Sequence, residues 1–343
     1  MEAIILAGGF GTRLRPLTYT RAKSLIPILN RPMITHIIDL LPNKVDKVIL
    51  AVNYRKDQIE EYFKKNDCGK KIIVNDEPKP LGTGGATKFA QEHITGRFLV
   101  INSDVICSLN LEDMIKFHKD NNAVATISLW PVENVSEFGV VDIKENGNVT
   151  GFVEKPKPED APSNLINAGA YFLEPEILDY IQKGRLVSME KEIFPQIIEK
   201  TGRFYGYQFK GYWTDIGRIS SYLEVNKFLL EKSNMKNCIG KNSETNALVN
   251  NSSVGNNVKI SPSAKIDSSI ILNDAIVGED TELFNCVIGE KSKINKKSKI
   301  KNSVIGDNEI VKDNTTLDNK IIWTQQKPKG YPDKQIGNVI EKE

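Results

Sequence analysis

Between Val254 and Leu317 the aliphatic residues keep a register that no helical period generates. They form four groups, Val254/Ile260/Ile266, Ile271/Val277/Leu283, Ile288/Ile294/Ile300 and Ile305/Val311/Leu317, with a step of six inside each group and five between groups, so the pattern repeats every 17 residues. Ile270, Val287, Val304 and Ile321 stand just ahead of successive groups. One inward aliphatic per face and three faces per coil describe a triangular parallel β-solenoid. A β-sandwich with evenly spaced strands is the alternative, and four matching triads count against it. Gly255, Gly278, Gly289 and Gly306 each follow an inward aliphatic, where the backbone is expected to bend.

Ahead of this region, from Glu2 to about Ser233, short β-branched runs alternate with amphipathic stretches of helical length, the rhythm of helices covering a largely parallel sheet. Strands are expected at Ala3–Leu6, Lys47–Asn53, Lys71–Asn75, Arg97–Asn102 and Ala123–Leu129, and helices at Pro32–Leu41, Lys56–Lys65, Leu111–Asn121 and Arg218–Glu231. Phe138–Ile143 and Val149–Glu154 flank the turn-forming stretch Glu145 to Asn148, so a hairpin should make the sheet mixed. The expected order is an α/β domain over 1–232, a polar linker over 233–253, the solenoid over 254–322 and a polar tail over 323–343 whose conformation is not readable.

Charge excludes several partners. Forty-six Lys and Arg stand against 44 Asp and Glu, which draws the chain toward neither nucleic acid nor an anionic membrane. The lysines clustered from Lys291 to Lys301 are interleaved with inward Ile294 and Ile300 and with no aromatic that could stack on a base. Residues 254–322 hold ten basic and ten acidic residues, so that region is neutral as a whole. The longest apolar runs fall far short of the roughly 20 residues of a membrane span, and the start MEAIILAGG has no basic flank. Cys68, Cys107, Cys238 and Cys286 form no CxxC pair. A reduced, cytoplasmic protein is expected.

Chemistry concentrates first where the opening strand runs into Leu6, Ala7, Gly8, Gly9, Phe10, Gly11, Thr12, Arg13, Leu14 and Arg15. Glycines there let backbone N–H groups approach an anion, while Arg13 and Arg15 add charge. Alone, a glycine-rich stretch after a strand is also just a tight turn. It is no Walker loop, and Leu14 stands where a dinucleotide fingerprint needs its third glycine. Asp104 follows the apolar strand ending at Asn102, a position equally suited to a turn former. Glu154 and Lys155 could likewise be an exposed ion pair of little worth.

In order along the chain come Leu6 to Thr18 with its Gly-Gly-x-Gly-Thr-Arg core, Lys23 in Arg21-Ala-Lys-Ser-Leu-Ile-Pro27, Arg31-Pro-Met33, Glu77-Pro-Lys-Pro-Leu-Gly-Thr83, Asn102-Ser-Asp104, Phe138-Gly-Val-Val-Asp142, Phe152-Val-Glu-Lys-Pro156, Asn167-Ala-Gly169 and Tyr212-Trp-Thr-Asp-Ile-Gly217. Together these resemble the sugar-1-phosphate nucleotidyltransferases, whose longer members carry a C-terminal left-handed β-helix. One departure surrounds Lys23, where the family usually has proline on one or both sides and this chain has Ala22 and Ser24. The lysine's role is expected to survive on a less rigid backbone.

The resemblance implies an α/β fold with a Rossmann-like mixed sheet, and attack by a sugar-1-phosphate oxygen on the α-phosphorus of a nucleoside triphosphate. That nucleophile is already an anion, so no general base is needed and the protein's task is to neutralise gathering charge. By the same resemblance Arg13 and Lys23 grip the triphosphate, and Asp104 and Asp215 hold Mg²⁺. Leu6, Ala7, Gly8, Gly9, Gly11, Thr12, Glu77, Gly82 and Thr83 face the nucleotide. Lys155 takes the sugar phosphate, with Glu154, Gly139 and Asn167 around the ring. Glu77 could accept the N1 and N2 donors of guanine.

The pattern most resembles the mannose-1-phosphate guanylyltransferase branch, with glucose-1-phosphate uridylyl- or thymidylyltransferases and a non-catalytic regulatory subunit as the alternatives. His36, His93 and His118 all precede the solenoid, which therefore lacks the histidine that acyltransferases built on such coils need. Unpaired strand edges at the solenoid's ends lead us to expect a homo-oligomer formed through it.

Overall fold

A computed structural model describes residues 1–326 and the backbone of Val339–Ile340. The chain divides into two compact units that do not follow its linear order. One combines Met1–Gly9 with Ile34–Thr214, and the other combines Phe10–Met33 with the chain from Asp215 onward.

The first unit is built on a nine-stranded mixed sheet. Its spatial order runs Val149–Glu154, Gly139–Ile143, Leu165–Leu173, Phe98–Asn102, Glu2–Leu6, Lys47–Val52 and Lys71–Asp76, with Ala125–Pro131 pairing Leu165–Leu173 and Phe204–Gln208 beyond it. Glu2–Leu6 is parallel to both of its neighbours, and the Gly139–Glu154 pair forms the expected antiparallel hairpin. Ile4, Ile49, Val100, Ile127 and Tyr171 from five strands fill one continuous core. Continuous aliphatic runs such as Val48 to Val52 are buried throughout, as strands covered on both faces require. The helix Leu111–Asp120 opens on Asn110, whose side chain accepts from the N–H groups of Glu112 (3.0 Å) and Asp113 (3.4 Å), a cap read in the sequence only as a helix start.

The second unit contains the helix Ile219–Lys232 and a left-handed β-helix whose strands stack into three parallel sheets. Ile260, Ile266, Ile271, Val277, Leu283, Ile288, Ile294, Ile300 and Ile305 form its dry core in the expected register. The bends fall elsewhere than expected. The left-handed backbone positions recur every 17 residues at Asn257, Asp274, Lys291 and Asn308, and at Ser268, Asn285, Asn302 and Asn319. Asn and Asp tolerate that conformation well. Gly255, Gly278, Gly289 and Gly306 are not among the positive-φ residues. They are where adjacent coils touch, since a Cβ on Gly289 would stand 2.4 Å from the carbonyl carbon of Gly306.

The stretch 233–253, read as a linker, carries Cys238–Ile239, Glu244–Thr245 and Leu248–Asn250, which pair in parallel with the next coil. It escapes the sequence pattern because Thr245 occupies an inward position and the offset to the next coil is 15 rather than 17 residues along part of its length. At the far end Ile321–Ile322 pairs with Val339–Ile340, while the rest of the tail beyond 326 lies outside the described residues. No helix among the described residues is long and apolar enough to cross a membrane.

Candidate functional site

Each unit brings together part of the residue set. In the first, the parallel strands Glu2–Leu6, Lys47–Val52 and Phe98–Asn102 end at a common carboxyl edge, where α/β proteins bind ligands. The N–H of Ser103 donates to the carbonyl of Leu6 (3.2 Å), so the glycine loop starts beside the strand end that leads to Asp104. Asp104 is half-buried.

Glu77 closes the same edge: its N–H donates to Val52 (2.8 Å) and its Oε2 accepts from the N–H of Leu81 (3.2 Å). A Cβ on Gly8 would stand 3.7 Å from Glu77 Oε1, so the bare backbone of Gly8 and this carboxylate line one space. Burial pushes the Glu77 carboxyl up, and the Leu81 N–H only partly offsets it.

The side chains of Thr83 and Asn167 are both engaged by protein partners. The Thr83 hydroxyl donates to Glu190 Oε2 (2.7 Å) and accepts from the N–H of Met189 (2.9 Å). Asn167 donates to the Tyr171 hydroxyl (2.9 Å), which donates onward to Glu190 Oε1 (3.1 Å). Burial first, then the charge of Glu190, hold the Tyr171 phenol in its protonated, donating form. Glu190 therefore ties the turn at Gly82 and Thr83 to the strand carrying Asn167. Sequence reasoning missed Tyr171 and Glu190, because contacts 107 residues apart leave no spacing signal.

The hairpin presents Gly139 opposite Glu154, and a Cβ on Gly139 would meet Glu154 Oε2 at 2.9 Å. Lys155 follows with φ +51°, an uncommon conformation for a lysine and one that Pro156 disfavours further. Its N–H donates to Phe138 (2.9 Å), and its Nζ lies 3.1 Å from Glu154 Oε1 with the side chain 60 % exposed. Local strain of this kind persists only where surrounding structure imposes it, and here it aims an ammonium and a carboxylate side by side. Trp213 packs edge-on against Phe138 (5.4 Å) and donates from its indole to Ala168 (2.9 Å).

In the second unit Gly11 takes φ +63°, and a side chain there would collide with Thr18 (2.7 Å) and the stem of Lys23 (3.2 Å). The Thr18 hydroxyl donates to the Gly11 carbonyl (2.9 Å), folding Lys23 against the loop that continues into Thr12 and Arg13. The backbone around Lys23 is held without the family's prolines, because Leu25 and Ile26 donate back to Ala22 and Lys23 and Ser24 is buried. Arg15 does not share the role expected from its charge, since it is buried with its guanidinium 5.2 Å from the Tyr19 ring centre. A Cβ on Gly217 would lie 2.7 Å from both Arg13 Nη2 and Asp215 Oδ2, which makes that cation and carboxylate neighbours. Gly217 was seen only as part of a motif, and its reason is this missing side chain.

A glycine loop at the carboxyl edge of a mixed sheet, followed by a β-helix, is the construction of a nucleotide-handling transferase. Residues 2–232 match the family described as Nucleotidyl transferase, and the chain belongs to it. Residues 236–335 match the GMPPB C-terminal domain. Mannose-1-phosphate guanyltransferase beta-A of Xenopus laevis is 42 % identical over 230 residues, 65 % of this chain and 63 % of the relative, so the chain spans just under two thirds of that protein's length. A probable mannose-1-phosphate guanylyltransferase 2 of Arabidopsis thaliana is 39 % identical over 311 residues, 84 % of each chain. Among solved structures, HddC of Yersinia pseudotuberculosis complexed with GMP-PN superposes with a TM-score of 0.57 at 30 % identity, over 66 % of this chain and 99 % of that one.

Proposed function

We propose that this protein joins a nucleoside triphosphate to a sugar 1-phosphate, and that the pair is GTP and mannose 1-phosphate, giving GDP-mannose and pyrophosphate. The observation that carries this reading is the likeness to a guanylyltransferase along 84 % of both chains. The buried Glu77 carboxylate beside Gly8 supports guanine, whose N1 and N2 donors match a carboxylate acceptor.

In the reaction an oxygen of the sugar phosphate forms a bond to the α-phosphorus as the bond to the β-phosphate bridging oxygen breaks. No proton has to be removed. Arg13 holds phosphate oxygens with its fork and Lys23 supplies a point charge. Gly8, Gly9, Gly11 and Thr12 offer backbone donors to the phosphates, and Lys155 receives the sugar phosphate. Glu154 and the backbone of Gly139 orient the sugar's hydroxyls. In this reading Thr83, Asn167 and Gly82 shape the walls rather than donate to the ligand.

Asp104 and Asp215 are the residues that would hold Mg²⁺. Their hard oxygen donors fit it, since Mg²⁺ is commonly bound by one or two carboxylates together with substrate phosphates. Bound there, Mg²⁺ supplies positive charge to the phosphate oxygens. We further read the protein as a cytoplasmic homo-oligomer. Pyrophosphate release with Mg²⁺, measured over several nucleoside triphosphates and sugar 1-phosphates, tests the function. GTP with mannose 1-phosphate should turn over fastest. No turnover with any pair would instead favour a regulatory subunit.

A further inference from the structure

The loop residues assigned to the triphosphate are anchored by the solenoid. Asp307 is the anchor. Its carboxylate is 4 % exposed and accepts from the Thr20 hydroxyl and the Arg21 guanidinium through Oδ2, while Oδ1 accepts from the N–H of Glu290 (2.7 Å). Arg21 also reaches Glu290 Oε2 (3.4 Å). One contact away, Tyr19 packs on Trp323 (5.0 Å), which occupies the space a side chain on Gly306 would need. At its other end the segment is held by Asn30, which donates to the Val254 carbonyl (2.7 Å), and by Leu29, which donates to Asn226 (3.0 Å).

The repeat shows what is special about Asp307. Asn256, Asn273, Glu290 and Asp307 follow one another at the same corner every 17 residues, and Asn256, Asn273 and Asp307 each use one side-chain oxygen to accept from a backbone N–H of the preceding coil. Asparagine suffices for that ladder. At 307 the ladder acceptor is a carboxylate, and its second oxygen accepts from Thr20 and Arg21, which also reaches the carboxylate of Glu290 at the preceding coil of the same corner. Arg21 is two residues from Lys23, and Thr18 ties the same turn to Gly11, two residues from Arg13.

We propose that Arg21 and Asp307 are positioning residues for nucleotidyl transfer, the solenoid corner at Asp307 fixing the backbone that aims Arg13 and Lys23. The inference rests on the reading of those two cations as the triphosphate grip. It makes the β-helix part of the catalytic apparatus, without a group of its own touching substrate.

Asp307→Asn in the full chain is the discriminating variant, because it keeps an oxygen for the ladder and removes the charge that meets Arg21. Asn273→Ala is its control, breaking the same ladder two coils before the corner that holds Thr20 and Arg21. Amide hydrogen exchange in peptides covering 11–25 should quicken about tenfold in Asp307→Asn and stay unchanged in Asn273→Ala. With GTP, mannose 1-phosphate and Mg²⁺, kcat should fall about tenfold while KM for the sugar phosphate stays within about twofold. Adding Arg21→Gln to Asp307→Asn should change kcat by less than about twofold more, as two halves of one contact require. Unchanged exchange over 11–25, or a kcat equal to that of Asn273→Ala beside an inactive Arg13→Ala, would overturn the inference alone. A normal rate in Arg13→Ala would overturn the reading of the loop, and the inference with it.

Discussion

Glu77 shows how a single side chain carries both a penalty and a use. Its carboxyl is buried, and the folded state holds its pKa above the usual value. Such a group contributes stability that is fully present below its unfolded pKa and is lost as pH rises through the folded one, so at neutral pH the ionised form is a liability. Glu77→Gln is therefore expected to raise the unfolding temperature at pH 7 more than at pH 4, and to weaken GTP binding about tenfold or more through loss of an acceptor for guanine. A calorimetric scan at both pH values and a binding titration check the two halves. The glycine loop could be singled out in the sequence because glycines after a strand carry a local chemical reason, whereas Glu77, Glu154 and Lys155 were singled out through family motifs. The Glu190 hub was not, because hydroxyl, phenol and carboxylate meet only after strands distant in sequence have paired.

Among the elements, the β-helix was the most legible, since one aliphatic per face is a counting rule that survives any composition. What the count hid was the division of labour at the corners: Asn, Asp, Ser and Lys supply the left-handed turns, and glycine permits coil-to-coil approach. Gly289→Ala places a methyl against backbone atoms of Gly306 that cannot move aside. It should lower the unfolding temperature by about 5 °C, in keeping with overpacking of a filled interior. Gly96→Ala, with nothing within 4 Å of the added atom, should leave it unchanged. Equal shifts in both variants would mean that coil spacing does not limit stability. The first coil went unread because a polar Thr245 and a shortened offset break the register on which the counting depends.

For the whole molecule, the family match and the packing divide the chain differently, the match running unbroken over 2–232. A reader of the sequence assigns Phe10–Met33 to the α/β domain that surrounds it in the chain, yet it packs as one body with the β-helix. Nothing local announces this, since the partners of Thr20 and Arg21 lie more than 260 residues away. The β-helix also exposes Leu248, Phe284 and Ile310, and we expect these faces to support self-association. Light scattering across micromolar concentrations should return more than one chain per particle, and a monomer throughout would refute that expectation.

The central claim is that two strongly negative reactants meet because a divalent ion held by Asp104 and Asp215, together with Arg13 and Lys23, cancels their repulsion. Its most direct test is the Mg²⁺-dependent turnover of Asp104→Asn and Asp215→Asn, each verified as folded by an unchanged unfolding temperature. The account predicts a loss of about a hundredfold or more in kcat for both variants. A near-normal rate in either one would contradict it.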